Sequence, residues 1–375
     1  MTRQPVIGIV GSEGAYGRWL RRFFEERMQL RVLGHDPAAP SDTSETLLAE
    51  ADVLLFAAPI RSTEAIIDDM LGQSAGRERG RLWLDITSIK QAPVAAMLRS
   101  QAEVVGLHPM TAPPKAPTLK GKVLVICEAR LDAWRDWLQA LFAALQAECV
   151  RVTPEYHDRA MALIQAMVHA THLAEAGVLR SHSQHLGPPS ALLPLRSASF
   201  ELDVAVITRI LSLNPQIYED IQFGNPYALE MLDSLLDELS ALRGLIAQGD
   251  DAARAGFRAR FLQDNRDHFD RATLADSHHT FERLGYLLAD LVEHVSISVH
   301  LPEDRPGALR ALLQVFERHR VNLSSIHSSR TPAGEVHFRI GFEAGLDPEA
   351  FAAIIREIDT QLLGRVLQAS APSPP

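Results

Sequence analysis

Cysteine is nearly absent from this chain: Cys127 in "KVLVICEA" and Cys149 in "AECVRV" are the only two among 375 residues. Both stand in apolar, strand-like surroundings, so they are expected to be buried, reduced thiols without a structural disulfide. Long hydrophobic runs are missing as well. The longest, such as Val53 to Pro59, fall far short of the roughly 20 residues that span a membrane. The N-terminus enters a strand directly where a signal sequence would run, and the chain is expected in the cytoplasm. Nor does any basic block offset the net charge of −10, so a surface for tracking nucleic-acid phosphates lacks its electrostatic footprint. Solenoid-length repeats and low-complexity tracts are absent, apart from the small, proline-rich tail "ASAPSPP", which is expected to fray. These absences leave small-molecule chemistry as the default.

A composition of 46% hydrophobic and 22% charged residues is that of a globular protein, and 375 residues at roughly 100–200 per domain give two or three domains. From Val6 to about Val152, short β-branched or leucine-rich runs alternate with amphipathic helices, the pattern of a parallel sheet covered on both faces. Strands are predicted at "PVIGIVG", "LRVLGHD", "ADVLLFAAP", "LWLDIT", "EVVGLHP" and "KVLVICE". From Pro154 to about Leu291 helical periodicity takes over almost without strand signal. From His294 to Gln368 strands return in the order βαββαβ, with a turn "PEDRPG" after the first. The expected fold is an α/β Rossmann-type doubly wound sheet over residues 1–153, an all-helical domain over 154–292 and a βαββαβ module over 293–369, followed by a disordered tail, 370–375.

Directly after the first strand comes Gly11-Ser-Glu-Gly14-Ala-Tyr-Gly17, then the helix "RWLRRFFEER". A strand, a glycine turn and a helix in that order let backbone N–H groups at the helix N-terminus meet a pyrophosphate. Gly14 permits close approach of the phosphates, and Gly17 lets the helix pack on the strand. Ser12 departs from the usual G-x-G-x-x-G, standing where its first glycine falls. Asp36 ends the second strand 22 residues beyond Gly14, close to the spacing of a carboxylate that accepts hydrogen bonds from an adenosine ribose. An anion there repels a 2′-phosphate, which favours NAD over NADP, and Arg31 precedes that strand instead of following it. The candidate cofactor residues are Gly11, Ser12, Gly14, Ala15, Tyr16, Gly17, Asp36 and Pro59. The alternative is a generic βα turn without a nucleotide.

In doubly wound sheets ligands collect at the carboxyl ends of strands. Three such ends carry polar groups: Pro59 to Thr63, Asp85 to Lys90 in "DITSIK", and His108 in "VVGLHPM". His108 thus stands beside the expected nicotinamide. An imidazole there can take a hydroxyl proton as hydride leaves the same carbon, help typically worth about 10²–10⁴ in rate. The competing reading is a structural histidine at a strand end. The helical segment opens with "EYHDRAMALIQAMVHATHLAEAG". Asp158, Gln165, His169 and His172 are spaced 7, 4 and 3 apart, which at 100° per residue puts them within about 60° of one another on an otherwise apolar helix. Such a stripe on a buried helix needs partners, because an unpaired buried polar group costs about 1–3 kcal/mol. Either another helix or a polar ligand supplies them. His157 reads as structural. A metal on His169-x-x-His172 is not expected, since no third ligand accompanies the pair.

Four ordered blocks, the glycine turn, "DITSIK", "GLHPM" and "HDRAMALIQAMVH", with "RILSLNPQIYEDI" further on, make Val6 to Leu291 resemble the prephenate dehydrogenase family of tyrosine biosynthesis. The resemblance implies an NAD-binding domain joined to a helical domain that dimerises, with the active site between them. It makes His108 the catalytic histidine that accepts the ring-hydroxyl proton of prephenate, with Ser88 hydrogen-bonding near that hydroxyl. Gln165 and His169 fall on the substrate side of the helix and Asp158 completes the family's His-Asp pair. Arg209, six residues before Pro215, matches an arginine for the side-chain carboxylate, its bland reading being an interhelical ion pair. The implied reaction oxidises the ring carbon and releases CO₂, with neither metal nor covalent nucleophile. Arogenate, carrying an amino group in place of the side-chain keto oxygen, is the alternative substrate. Some members have an acidic gate six positions beyond the histidine; here Pro114 occupies it, in the loop "TAPPKAP".

The last module resembles the ACT fold, which usually binds an amino acid at a subunit interface. Its marks are "DRPGAL" and "NLSSIHSSR", the second similar to the subtype that senses aromatic amino acids, whose I-E-S-R-P is only approximated by Ile326-His-Ser-Ser-Arg-Thr. The resemblance implies tyrosine or phenylalanine as effector at Asp304, Arg305, Gly307, Ala308, Leu309, Asn322 and Ser328; the alternative is a dimerisation module without a ligand. With strand one starting within ten residues of Met1, no chorismate mutase segment is expected. A catalytically silent NAD-binding amino-acid sensor stays open as a second function class, although the intact His108, Ser88 and Arg209 set speaks against it.

Overall fold

The computed structural model describes residues 4–39, 42–274, 277, 281, 295–301, 305–330, 336–343, 345–361 and 363–370, in two compact units, Met1–Leu262 and Gln263–Pro375. Seven strands build the sheet of the first unit: β1 (Ile7–Val10), β2 (Val32–His35), β3 (Val53–Phe56), β4 (Leu82–Asp85), β5 (Glu103–Pro109), β6 (Val123–Arg130) and β7 (Glu148–Arg151), in the order β2-β1-β3-β4-β5-β6-β7. β1, β3 and β4 (IGIV, VLLF and LWLD) are buried at every position, as near-continuous apolar runs require of strands covered on both faces. One face packs on Trp19 and Leu20 of α1 (Ala15–Arg22), Phe24 just beyond it, and Leu141 and Phe142 of a later helix. The other packs on Leu47 of α2 (Ser44–Glu50), Ile67 and Met70 of α3 (Ile60–Ser74) and Met97 of α4 (Gln91–Leu98). The later helix is α5 (Arg135–Leu145). Each large apolar side chain buried in this way contributes about 1.5–3 kcal/mol, so the sheet has a core of its own. Strand order reverses between β1 and β3, which opens a crevice at their carboxyl ends, flanked by the Gly11 turn and Pro59.

The sheet departs from the sequence-based expectation in two places. The sheet is not wholly parallel: β5 and β6 run antiparallel, with Leu107 opposite Ile126. The connection 110–122 between them holds no helix, and without a helical crossover a returning strand pairs antiparallel. Cys149 is only half-buried, because the strand-like "AECVRV" forms β7 at the sheet edge, where most side chains are exposed. Cys127, in the interior of β6, is fully buried, and burial pushes its thiol up to about 12. Both cysteines are free.

Beyond β7 the first unit is helical: α6 (Pro154–Met161), α7 (Val168–Leu186), α8 (Pro189–Leu192), α9 (Ala198–Ser212), α10 (Pro215–Gly224), α11 (Ala228–Gln248) and α12 (Asp251–Phe257). Thr153, Ser197, Asn214 and Asp250 cap α6, α9, α10 and α12 with side-chain oxygens, each cap worth about 1 kcal/mol. A π-helical turn, Ala162–Met167, joins α6 to α7 and breaks the regular spacing on which one shared stripe from Asp158 to His172 depended. The helix is not buried either. α7 has no buried residue, and Leu163, Ile164 and Val178 face solvent; among the described residues the buried apolar cluster of this half is small, Ala166, Ile221 and Ala228.

The second unit contains β8 (Ser296–Leu301), β9 (Leu323–Arg330), β10 (Val336–Phe342) and β11 (Arg365–Ser370) in an antiparallel sheet, β11-β8-β10-β9, with helices Ala308–Arg318 and Pro348–Thr360. This is the βαββαβ order read from the sequence. Alternation in β10 sends Val336, Phe338 and Ile340 into a core shared with Leu312, Phe316, Phe351 and Ile354. Asp304, residues 371–375 and most of 275–294 lie outside the described residues. Among the described residues no helix is long and apolar enough to cross a membrane.

Candidate active site

The glycine turn after β1 is shaped by two contacts. Gly11 has φ +83°, and a Cβ there would meet the Ala57 carbonyl oxygen at 2.7 Å; a Cβ on Gly17 would meet the Gly11 carbonyl oxygen at 2.1 Å. Any side chain at either position would displace the turn from the crevice. Gly14 is the N-cap of α1 and no side chain caps the helix, so the exposed Gly14 and Ala15 leave its first amides open to an anion. Ser12 is buried with its hydroxyl directed at β2: a Cβ on Gly34 would lie 2.7 Å from Ser12 Oγ. The serine in place of glycine is therefore accommodated by a glycine opposite it. Asp36, at the end of β2, accepts from the Glu13 amide at 3.0 Å and the Ala38 amide at 2.9 Å, which sets its carboxylate against the turn. Arg31 is occupied at the other end of the strand by Glu50, 2.7 Å away. Pro59, exposed, is the N-cap of α3 on the opposite side of the crevice. Tyr16 donates its hydroxyl to the Thr111 carbonyl, and burial pushes its pKa up; Trp19 Nε1 donates to Ala116 O at 2.9 Å. These two side chains tie the loop containing Pro114 onto α1.

A second construction lies where the sheet meets the helices. The turn after β4 is held by Asp85, which accepts from the Thr87 amide at 3.0 Å and the Thr87 hydroxyl at 2.7 Å. Lys90, fully buried, is paired with Asp85 and donates to Leu107 O at 2.8 Å. Ser88 stands half-buried on the same turn and makes no side-chain hydrogen bond among the described residues. Asp158 reaches across from α6 and accepts from the amides of Lys90 at 2.7 Å and Gln91 at 2.8 Å, the start of α4. Its Oδ1 also lies 2.7 Å from His157 Nδ1, and His157 Nε2 lies 2.9 Å from His108 Nδ1. Burial, then the neighbouring His157 and Lys90, hold His108 well below the usual histidine range, so it is neutral near pH 7. His157, read from the sequence as structural, is thus bonded directly to the candidate base. Arg61 closes the same junction further along, pairing with Asp220 and, at 2.9 Å, with Glu219 of α10.

The remaining polar positions gather separately. Gln165 Oε1 and His169 Nδ1 are buried and find no hydrogen-bond partner among the described residues, and the His169 ring packs edge-on to Tyr218 at 4.9 Å. Arg209, exposed on α9, is near enough for its charge to oppose protonation of His169, after burial itself. Its ion-pair reading finds no carboxylate among the described residues. His172 does not converge with His169: it donates from Nδ1 to Val168 O and stands with Glu175 and Asp203, ligand atoms within 4.8 Å of one another. Lys90 and Tyr218 fall inside blocks the sequence marks, "DITSIK" and "RILSLNPQIYEDI", but neither block indicates that the lysine is fully buried or that the tyrosine packs on His169.

Sheet and junction define a class, nucleotide-binding proteins of the doubly wound kind whose last strand feeds a helical domain over the crevice. Residues 34–152 match the family model of the prephenate dehydrogenase nucleotide-binding domain, residues 153–259 that of its dimerisation domain and residues 295–359 the ACT domain. The chain belongs to the prephenate dehydrogenase family, with an ACT domain appended. It is 25% identical over 281 residues to the probable arogenate/prephenate dehydrogenase of Methanocaldococcus jannaschii, covering 70% of this chain and 60% of that protein. With the T-protein of Enterobacter agglomerans it shares 29% over 271 residues, 72% of this chain and 69% of the relative. The chain thus spans about 60–70% of the length of these relatives. The solved prephenate dehydrogenase of Aquifex aeolicus, in complex with hydroxyphenyl propionate and NAD+, has the same fold at a TM-score of 0.55 and 17% identity, over 72% of this chain and 99% of that one. Synechocystis arogenate dehydrogenase gives 0.51 and 17%, over 70% and 100%.

Proposed function

We propose that the protein is an NAD-dependent dehydrogenase that converts prephenate to 4-hydroxyphenylpyruvate and CO₂, with His108 as general base. One observation carries this reading: a buried histidine, held by burial well below the usual histidine range, at the carboxyl end of β5, on the same edge of the sheet as the β1/β3 crevice. The turn suits a dinucleotide, because Gly11 and Gly17 leave no room for a Cβ and the first amides of α1 are uncapped. Asp36 favours the ribose of NAD over a 2′-phosphate. NAD, when bound, supplies the two-electron acceptor. His108 removes the ring-hydroxyl proton, and Ser88, with no side-chain hydrogen bond among the described residues, can hydrogen-bond the same oxygen. Gln165 and His169 recover partners for their orphaned atoms by binding the substrate, while Arg209 holds its side-chain carboxylate through charge-assisted hydrogen bonds. Release of CO₂ makes an aromatic ring, which drives the reaction forward.

Arogenate is the second reading, favoured by the two carboxylates Glu175 and Asp203 near His172, which offer an ammonium group its counter-charge. The protein is also proposed to be a homodimer. Leu229, Leu236, Leu239 and Ile246 form one exposed apolar stripe along α11, within about 100° of helix surface, inside the segment that matches a dimerisation domain. Tyrosine or phenylalanine is proposed as an effector at Arg305 to Leu309, where Gly307, at φ +92°, caps the helix Ala308–Arg318, with Asn322 and Ser328 exposed nearby in sequence. Two free cysteines agree with residence in the cytoplasm, and the proposed domains run 1–153, 154–292 and 293–369. The test is NADH formation, followed by absorbance, from NAD with prephenate or arogenate. Reduction with prephenate is expected. NAD binding without reduction by either acid would leave the silent sensor instead.

A further inference from the structure

Three hydrogen bonds in series run from the start of α4 through Asp158 and His157 to His108. Asp158 is completely buried, and its carboxylate accepts two amides at a helix N-terminus, where negative charge is favoured. A carboxylate only accepts, so the proton of its 2.7 Å contact with His157 sits on His157 Nδ1. Burial keeps His157 neutral, which leaves the lone pair on Nε2. That nitrogen lies 2.9 Å from His108 Nδ1 and accepts from it, so the one proton of neutral His108 is on Nδ1 and its Nε2 is bare. The other charged groups at the junction are Lys90 and Asp85, paired with each other from the sheet side, and the lysine opposes any charge on His108.

We propose that His157 and Asp158 are positioning residues that hold His108 in the Nδ1–H tautomer, so that the base is correctly protonated only while the helical domain is seated on the sheet. His108 and Lys90 belong to the sheet; His157 and Asp158 belong to α6. A histidine in the opposite tautomer would present an N–H to the substrate hydroxyl and could not take its proton. The kinetic consequence rests on His108 being the base, whereas the tautomer itself does not.

The direct test is nitrogen-15 NMR of histidine-labelled full-length protein, with the His108 signals assigned by their loss in His108→Asn. Wild type is expected to show Nδ1 protonated and Nε2 unprotonated. His157→Leu removes the acceptor and should give a mixture of tautomers, with kcat lower by about 10²-fold and KM little changed. His157→Gln keeps an amide oxygen for the Nδ1–H and should restore both the tautomer and most of the turnover. A wild-type His108 protonated at Nε2 would overturn the proposal. So would His157→Leu with unchanged His108 signals and lower turnover, which would make His157 merely structural. If His157→Leu does not fold, the wild-type and His157→Gln spectra decide. If wild type oxidises neither acid, the spectra still decide the tautomer while the dehydrogenase reading falls.

Discussion

The two halves of the first unit solve burial in opposite ways. In the sheet half Ile7, Leu55 and Leu84 are essentially inaccessible, whereas in the helical half Phe223 is 92% exposed, Leu229 70% and Ile246 66%. The sheet half closes over its own core on both faces. The helical half has three residues in its buried cluster and leaves an apolar stripe uncovered. The difference locates what each half must borrow. The sheet's histidine takes a hydrogen-bond partner from α6, His157, and the exposed leucines of α11 are the surface proposed above to dimerise.

The largest effect expected from breaking this arrangement is at Lys90. Replacing it by Met would strand the buried Asp85 carboxylate, and a loss of about 3–5 kcal/mol is expected in urea unfolding. A loss below 1 kcal/mol would show that Asp85 finds water. Arg209→Gln tests the helical half's hold on substrate. Each charge-assisted hydrogen bond is worth about 1.5–3 kcal/mol, so KM should rise roughly 10- to 100-fold at similar kcat. Normal saturation would place the carboxylate elsewhere. Leu236→Asp combined with Leu239→Asp should halve the mass seen in sedimentation while NAD binding persists. An unchanged mass would free α11 from the proposed interface. The smallest effect concerns pH. His108 and His157 are both held below 6.5 by burial, so the unfolded chain takes up protons that the folded site refuses. Stability should therefore fall as pH drops below about 6.5 and be insensitive to these groups above it. Stability rising over that interval would mean a protonated pair.

Legibility followed distance along the chain. The placement of the glycine turn, Asp36 and His108 at the ends of β1, β2 and β5 was readable because strand and turn are adjacent in the chain. The tolerance of Ser12 was not, since it depends on Gly34 across the sheet. The antiparallel β6 required noticing that 110–122 carries no helix. His157 meets His108 across 49 residues, and no spacing in the sequence announces that contact. The π-helical turn leaves no mark in the apolar period, so the spacing alone predicts too regular a stripe. Apolar periodicity in α11 signals burial without saying whether the covering surface belongs to the same molecule.

His108→Asn tests most directly whether His108 takes the proton. Turnover and substrate binding should therefore be measured together in His108→Asn: kcat lower by about 10²–10⁴, with substrate and NAD affinities close to wild type, is expected. Turnover retained within a few-fold would contradict it.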